Sequence, residues 1–410
     1  MKLESIYVFI YVDALPLEYV SSKYMPHLFK LLNGRKEAIQ IIQNIPGYSF
    51  GIQSTMLSGL LPQESYHWMP FMFKIENVKQ PFGYLKDLCN YNPLICNELV
   101  LKTIGSLRNI KHEEIRFLYE AILHVSVFWD QKGVKLHGIP MGHLEKILVF
   151  PYYYMNEIPF FLMLKKELEE RYGMGVYYFG HSLKRGIEGL SRLLRMHKGE
   201  YSKLFIWKYI DDLDGVGHKK GVASREWFNS LESVDYFISI TYRYLSSMGR
   251  DVKILLFSDH GMCNADEYID LENLLSRLPR GTIDFVVDAT LAFIRVHSDA
   301  TKERLLDFLK RKLKDKVLIF DVEEDKQLLR RHGVYFANGE YGEIIVQTKP
   351  CKGFFPNFYS VSRRLKGLHG FWPNELVQRA FIVTLPSRNE SSITPSHIKD
   401  LSSYIRSILA

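Results

Sequence analysis

Cysteine is nearly absent from this chain. Cys89, Cys96, Cys263 and Cys351 are the only four among 410 residues, and no two of them form a C-x-x-C pair. So few thiols exclude a disulfide framework or a thiolate zinc module, and they fit a reduced, cytoplasmic setting. Blocks of like charge are missing as well. Fifty-three Lys+Arg against 46 Asp+Glu leave a net charge of +7, a weak bias toward anionic partners that gives no expectation of specific nucleic-acid binding. The most membrane-like stretch, 147–164, contains Pro151, Pro159, Asn156 and Glu157, so no transmembrane segment is expected. The first apolar run is broken by Glu4 and Asp13 and lacks the basic start of a signal peptide. Repeats and low-complexity tracts are absent too.

What is present is a globular composition, 47% hydrophobic and 24% charged, with an alternation of short β-branched or aromatic runs and helical patterns. That alternation predicts an α/β fold, a mainly parallel sheet sandwiched by helices. Strands are expected over 6–12, 38–43, 176–179, 204–210, 252–257 and 381–385. Helices are expected near 25–32, 50–60, 160–171, 225–245 and 395–409. Two stretches break the rhythm and read as insertions. The division is core 1–66, a cap-like insertion 67–151 with an amphipathic segment at 113–125, core 152–273, a small α+β insertion 274–346, and core 347–410. The second insertion carries a basic helix, TKERLLDFLKRKLKD, whose charges read as a solvated face.

Four segments place carboxylates and imidazoles after predicted strands, at the end of a parallel sheet where such folds bind ligands. Asp13 ends YVFIYVD. Asp214 and His218 lie four apart in DDLDGVGHKKG, Asp259 and His260 are adjacent in FSDHGM, and His369 precedes a glycine in LKGLHGFWP. Taken singly, each also reads as a turn, a cap or a structural histidine. Together, three Asp and three His match the needs of two adjacent divalent cations of borderline or hard character, Zn²⁺ first and Mn²⁺ second. A further segment, IPGYSFGIQSTMLSGLLP, opens a predicted helix at Ser49. The serine reads either as a plain N-cap or as a nucleophile at an anion-binding helix end.

In this order the segments resemble the alkaline phosphatase superfamily, most closely its type I phosphodiesterase/nucleotide pyrophosphatase branch. The matching pieces are Asp13, Ser49 before Phe50, S-G-L-L-P at 58–62, D-x-x-G-H at 214–218, D-H-G-M at 259–262, and H-G at 369–370. The resemblance implies an alkaline phosphatase-like core and two divalent metals. One would be held by Asp214, His218 and His369, the other by Asp13, Asp259, His260 and the Ser49 oxygen. It further implies a metal-dependent hydrolase that cleaves a phosphodiester or pyrophosphate bond of a small phosphorylated substrate through a phosphoseryl intermediate on Ser49. A phosphotransferase or mutase acting at the same site is the alternative. The family's F-P-N is here Phe50-Gly51-Ile52-Gln53, which leaves Gly51 and Gln53 as substitute phosphate contacts, with His67 a third candidate near the substrate. Aromatic residues make up 14% of the chain. Those at 67–73 and 150–154 would either roof the site or form the first insertion's own core.

Overall fold

The computed structural model describes residues 3–69, 71–73, 147–149, 159–179, 183, 186–196, 200–279, 281–357, 363–386 and 395–409. The amphipathic segment expected at 113–125 and the aromatic run at 150–154 lie outside them.

The Ser5–Val12 strand alternates with period two, and both of its faces are buried. Tyr7, Phe9 and Tyr11 enter one apolar layer, whereas Ile6, Val8, Ile10 and Val12 enter the other. A strand buried on both faces must sit inside a sheet covered by helices on both sides. It does: the six-stranded sheet runs Ile39–Ile42, Ala380–Leu385, Asp251–Ser258, Ser5–Val12, Lys203–Ile210, Met174–Tyr178. The last four are mutually parallel. Ala380–Leu385 is antiparallel to both its neighbours, the one departure from parallel order. On the first layer's side, the Ser49–Ser58 helix contributes Ile52, Met56 and Leu57. On the opposite side, the long Arg225–Ser246 helix presents Trp227, Leu231, Val234 and Ile238, and its N-terminus is capped by Ser224, whose Oγ accepts from the Trp227 amide at 3.2 Å.

A second sheet, four-stranded and antiparallel, runs in the order Ile283–Val287, Leu291–Val296, Ile344–Thr348, Val317–Asp321, and its strand Ile344–Thr348 continues past 346, the end expected for the second insertion. The Asp299–Leu313 helix covers this sheet with Leu305, Leu309 and Leu313, spaced four apart. Its basic residues Lys310, Arg311 and Lys312 are exposed, as a solvated face requires.

Three local differences from the sequence expectations have physical causes. The last helix begins three residues later than 395, as a 3₁₀ turn at Ile398–Asp400 followed by Leu401–Leu409. The preceding backbone is used elsewhere: the Gln43 amide donates to the Ser396 carbonyl at 2.9 Å, and Asp400 caps the turn through the His397 amide at 2.9 Å. The Ser49 helix stops at Ser58 because Gly59 takes a φ of +76°, the left-handed cap that glycine adopts without strain. Finally, Cys263 and Cys351 are joined as a disulfide across 88 residues of chain. Scarcity argues against a framework of bridges, but it says nothing about one pair brought together by tertiary structure. Among the described residues, no helix is long and apolar enough to cross a membrane.

Candidate active site

Register builds the site. Val12 pairs with Ile210 and Tyr11 with Phe257, so the residues that follow these three neighbouring strands emerge together at their carboxyl ends. The first is Asp13, and the third strand leads into Asp259 and His260. The second leads into the Asp212–Lys220 helix, in which Asp214 and His218 stand one turn apart on one face. His369 arrives from a distant segment, where the Gly367–Leu368 strand pairs with Cys263–Asn264 just beyond the D-H-G-M run.

Two clusters result. The ligand atoms of Asp214, His218 and His369 lie within 4.8 Å of one another, and so do those of Asp13, Asp259 and His260. The Asp214 Oδ1 atom is 3.1 Å from His218 Nε2 and 3.2 Å from His369 Nε2. His260 Nε2 is 3.1 Å from Asp259 Oδ2, and the His260 and His369 rings stack with centroids 4.2 Å apart, bringing the clusters side by side. His218 Nδ1 meets the Gly367 carbonyl at 2.8 Å and His260 Nδ1 the Gly261 carbonyl at 2.9 Å. A carbonyl can only accept, so both rings carry their proton on Nδ1 and turn the Nε2 lone pair inward, the arrangement typical of metal-ligating histidines.

The electrostatics point the same way. Burial, then the charges of Asp259 and Asp214, push the Asp13 carboxyl well above the usual carboxylate range. Burial works against an ionised Asp214, but His218 and His369 outweigh it and hold that group well below its ordinary value. Burial, with His260 beside it, lowers His369 to about 3. Apart from the imidazole nitrogens beside them, Asp214 Oδ1 and Asp259 Oδ2 are buried without a hydrogen-bond partner among the described residues. Crowded carboxylates and inward lone pairs in a region of low dielectric fit divalent cations, which supply the missing positive charge.

Ser49 is not the helix N-cap. Tyr48 holds that position, and Ser49 is the first helical residue. Its hydroxyl donates to Asp13 Oδ1 at 3.2 Å, with His260 Nε2 3.1 Å from the same oxygen. The serine thus touches one cluster directly, at the helix end whose amides have no intrahelical acceptor.

The three substrate-contact candidates are placed differently. Gln53 is buried and its amide donates to the Tyr11 hydroxyl at 3.2 Å. Gly51 passes under the Trp68 backbone, where an added Cβ would stand 2.6 Å from the Trp68 carbonyl oxygen. His67 is buried, stacked parallel on Phe50 at 5.7 Å and edge-on to Phe160 at 5.2 Å. The described aromatics of 67–73 are core: Trp68 stacks on Phe336, meets Phe293 and Tyr341 edge-on, and donates from Nε1 to the Pro46 carbonyl at 2.8 Å.

Burial lowers His67 to about 4. The unfolded chain takes up its proton near pH 6.5, whereas the folded chain resists until about 4, so this group costs stability as pH falls across that window. The full difference is about 3 kcal/mol. Denaturant unfolding at pH 7.5 and 4.5 should show a pH-dependent loss in the wild type that is smaller by roughly 2–3 kcal/mol in His67→Phe. Equal pH dependence in the two proteins would contradict the assignment.

Sequence reasoning missed Tyr209, whose hydroxyl donates to Asp13 Oδ2, and Asn44, whose Nδ2 donates to the Asp259 carbonyl at 2.6 Å. Tyr209 sits opposite Tyr11 in the register. That signal becomes readable only once the strand pairing is known.

With this geometry in place, the match to the family model "type I phosphodiesterase / nucleotide pyrophosphatase" over residues 127–371 is decisive. The chain belongs to that family. It is a hydrolase of phosphodiester or pyrophosphate bonds. The family is typically dependent on divalent metals, and the two clusters are candidates to hold them. No curated protein sequence matches the chain. Among solved structures it is similar to murine ectonucleotide pyrophosphatase / phosphodiesterase 5, with a TM-score of 0.60 at 14% identity, covering 100% of this chain and 95% of the other. An inactive variant of that murine protein in complex with AMP gives 0.59, and the human ectonucleotide pyrophosphatase / phosphodiesterase 5 gives 0.58, both with the same identity and coverage. Likeness at this identity speaks for the fold, while the family membership rests on the model match.

Proposed function

We propose that this family member hydrolyses a small phosphodiester or pyrophosphate through a phosphoseryl intermediate on Ser49. Two divalent cations, Zn²⁺ or Mn²⁺, would be held by Asp214, His218 and His369 and by Asp13, Asp259, His260 and the Ser49 oxygen. The observation that carries this reading is the position of the Ser49 oxygen, within 3.2 Å of both Asp13 and His260. When bound, the cations supply Lewis acidity, lowering the pKa of the serine hydroxyl and offsetting charge on the phosphoryl oxygens. Asp13, held in turn by Tyr209, accepts the hydrogen bond from Ser49 and aims its oxygen out of the helix end. The bond from the Ser49 oxygen to phosphorus forms as the phosphorus–oxygen bond to the leaving group breaks in line. Water then displaces the serine oxygen from phosphorus and restores the hydroxyl. The Gly51 amide, in the first helical turn, is the phosphate contact of choice, because the Gln53 amide is committed to Tyr11.

The test offers bis(p-nitrophenyl) phosphate, p-nitrophenyl phosphate and a nucleotide diester to metal-stripped protein, with and without Zn²⁺ or Mn²⁺. The nucleotide diester is included because one structural relative was solved with AMP. Metal-dependent turnover that favours the diesters is the expected result. Preference for the monoester, or turnover that survives metal removal, would overturn the reading.

A further inference from the structure

The three imidazoles are not anchored alike. His218 and His260 are each fixed through Nδ1 to a carbonyl. His369 Nδ1 is buried without a hydrogen-bond partner among the described residues, so the ring is held only from its Nε2 side, where Asp214 Oδ1 lies at 3.2 Å and His218 Nε2 at 3.1 Å. What surrounds it is a buried polar network reaching in from the small four-stranded sheet.

Thr290, fully buried in the turn between the Ile283–Val287 and Leu291–Val296 strands, has its Oγ1 3.2 Å from the His369 carbonyl and 3.0 Å from the Gly370 carbonyl. Carbonyls only accept, so the threonine hydroxyl proton goes to them. The same Oγ1 is 2.7 Å from the Tyr48 hydroxyl, the Thr290 amide donates to the Tyr48 oxygen at 2.7 Å, and Asp288 is a further hydrogen-bond partner of that hydroxyl. Gln347, also fully buried, donates from Nε2 to the Thr290 and Gly370 carbonyls, each at 3.0 Å. Tyr48 is both the N-cap of the Ser49 helix and the edge-on neighbour of the His369 ring, with centroids 5.5 Å apart. Its ring fills the space at Gly370, where φ is +84° and an added Cβ would stand 2.5 Å from it.

We propose that Thr290 is a positioning residue. Through the Tyr48 hydroxyl and the carbonyls of His369 and Gly370, it sets the placement of the Asp214–His218–His369 cluster against the serine helix. The small sheet thereby becomes part of the active-site frame, since it holds the one imidazole that has no Nδ1 anchor of its own. The inference rests on the metal-dependent reading above.

The test is metal binding, independent of turnover. Zn²⁺ is titrated into metal-stripped full-length wild type, Thr290→Val, Thr290→Ser and Tyr48→Phe, followed calorimetrically, with circular dichroism as the check on folding. Valine keeps the shape of threonine and removes the hydroxyl. The expected result is two equivalents in wild type and, in Thr290→Val, one site weakened about 10- to 100-fold, the usual effect of removing a group that orients a metal ligand. Thr290→Ser should recover most of that affinity. Tyr48→Phe, which keeps the ring against His369 and loses only the hydroxyl, should weaken the same site and decides the matter if Thr290→Val does not fold. Unchanged affinities in the folded variants would overturn the proposal, as would a serine variant no better than valine. Wild type that binds no Zn²⁺ would overturn it together with the metal reading. If wild type binds two equivalents and the valine variant loses one, yet no diester is cleaved, the proposed reaction falls and the positioning role stands.

Discussion

Ser49→Ala should remove turnover while leaving the protein folded. The hydroxyl is the only nucleophile proposed for the first step, and its loss is expected to lower kcat by about 10⁴-fold or more, the scale seen when a covalent nucleophile is deleted. Ser49 is the first residue of its helix, where alanine is well tolerated and no side-chain cap is lost, so thermal stability should change little. Ser49→Thr keeps an oxygen within reach of Asp13 and His260 and should retain part of the activity, whereas alanine should not. Acid quenching during turnover, followed by mass spectrometry of the peptide containing Ser49, should detect a phosphoserine in wild type and none in the alanine variant. Alanine activity above roughly a hundredth of wild type would assign the nucleophile elsewhere.

The second large effect is a change of sign. In the metal-free protein, Asp13 is pushed up by burial, by Asp259 and by Asp214. A buried carboxyl whose folded pKa lies above its unfolded value binds more protons folded than unfolded. It therefore lowers stability as pH rises from about 4 through the folded pKa. Asp259→Asn removes one of the repelling charges and should leave the metal-free protein at pH 7 as stable as wild type or more so. With Zn²⁺ the order should invert. A ligand present at about 1,000 times its Kd stabilises the folded state by about 4 kcal/mol, and wild type should gain on that scale. Asp259→Asn should gain less and should lose most of its turnover. Thermal melts of both proteins, stripped and reloaded, give the four values needed. A variant less stable than wild type when stripped and equally stabilised by Zn²⁺ would show Asp259 to be structural.

Much of the site was legible because its chemistry lies in short, contiguous strings. A carboxylate or imidazole directly after a run such as KILLF or YVFIYV must emerge at a strand end whatever the strand's neighbours are, so Asp13, Asp259 and His260 could be placed before any pairing was known. The pair Asp214 and His218 is four apart, the spacing that puts two side chains on one helical face. The substrate candidates were harder. Gln53 and His67 carry the right groups in the right neighbourhood, but whether an amide faces a substrate or Tyr11, and whether an imidazole stands open or stacks on Phe50, depends on partners far away in the chain. The aromatic stretch at 67–73 was similarly open, and Trp68 proves to be core because Phe293, Phe336 and Tyr341 come to meet it.

The sequence alone determined the α/β class and the strand and helix periods, and it offered three Asp, three His and one Ser as candidate site residues. Each of these follows from local pattern, and local pattern is written in neighbouring residues. Tertiary structure alone decided what touches what. It decided that Ala380–Leu385 runs against its neighbours, that Cys263 reaches Cys351 across 88 residues, that Tyr209 holds Asp13, and that Thr290 of the small sheet meets Tyr48 and His369. Such contacts join residues far apart in the chain, by 79 positions for Thr290 and His369 and by 242 for Thr290 and Tyr48. They arise from strand order and register, which the hydrophobic effect selects over the whole chain at once and which no single segment encodes.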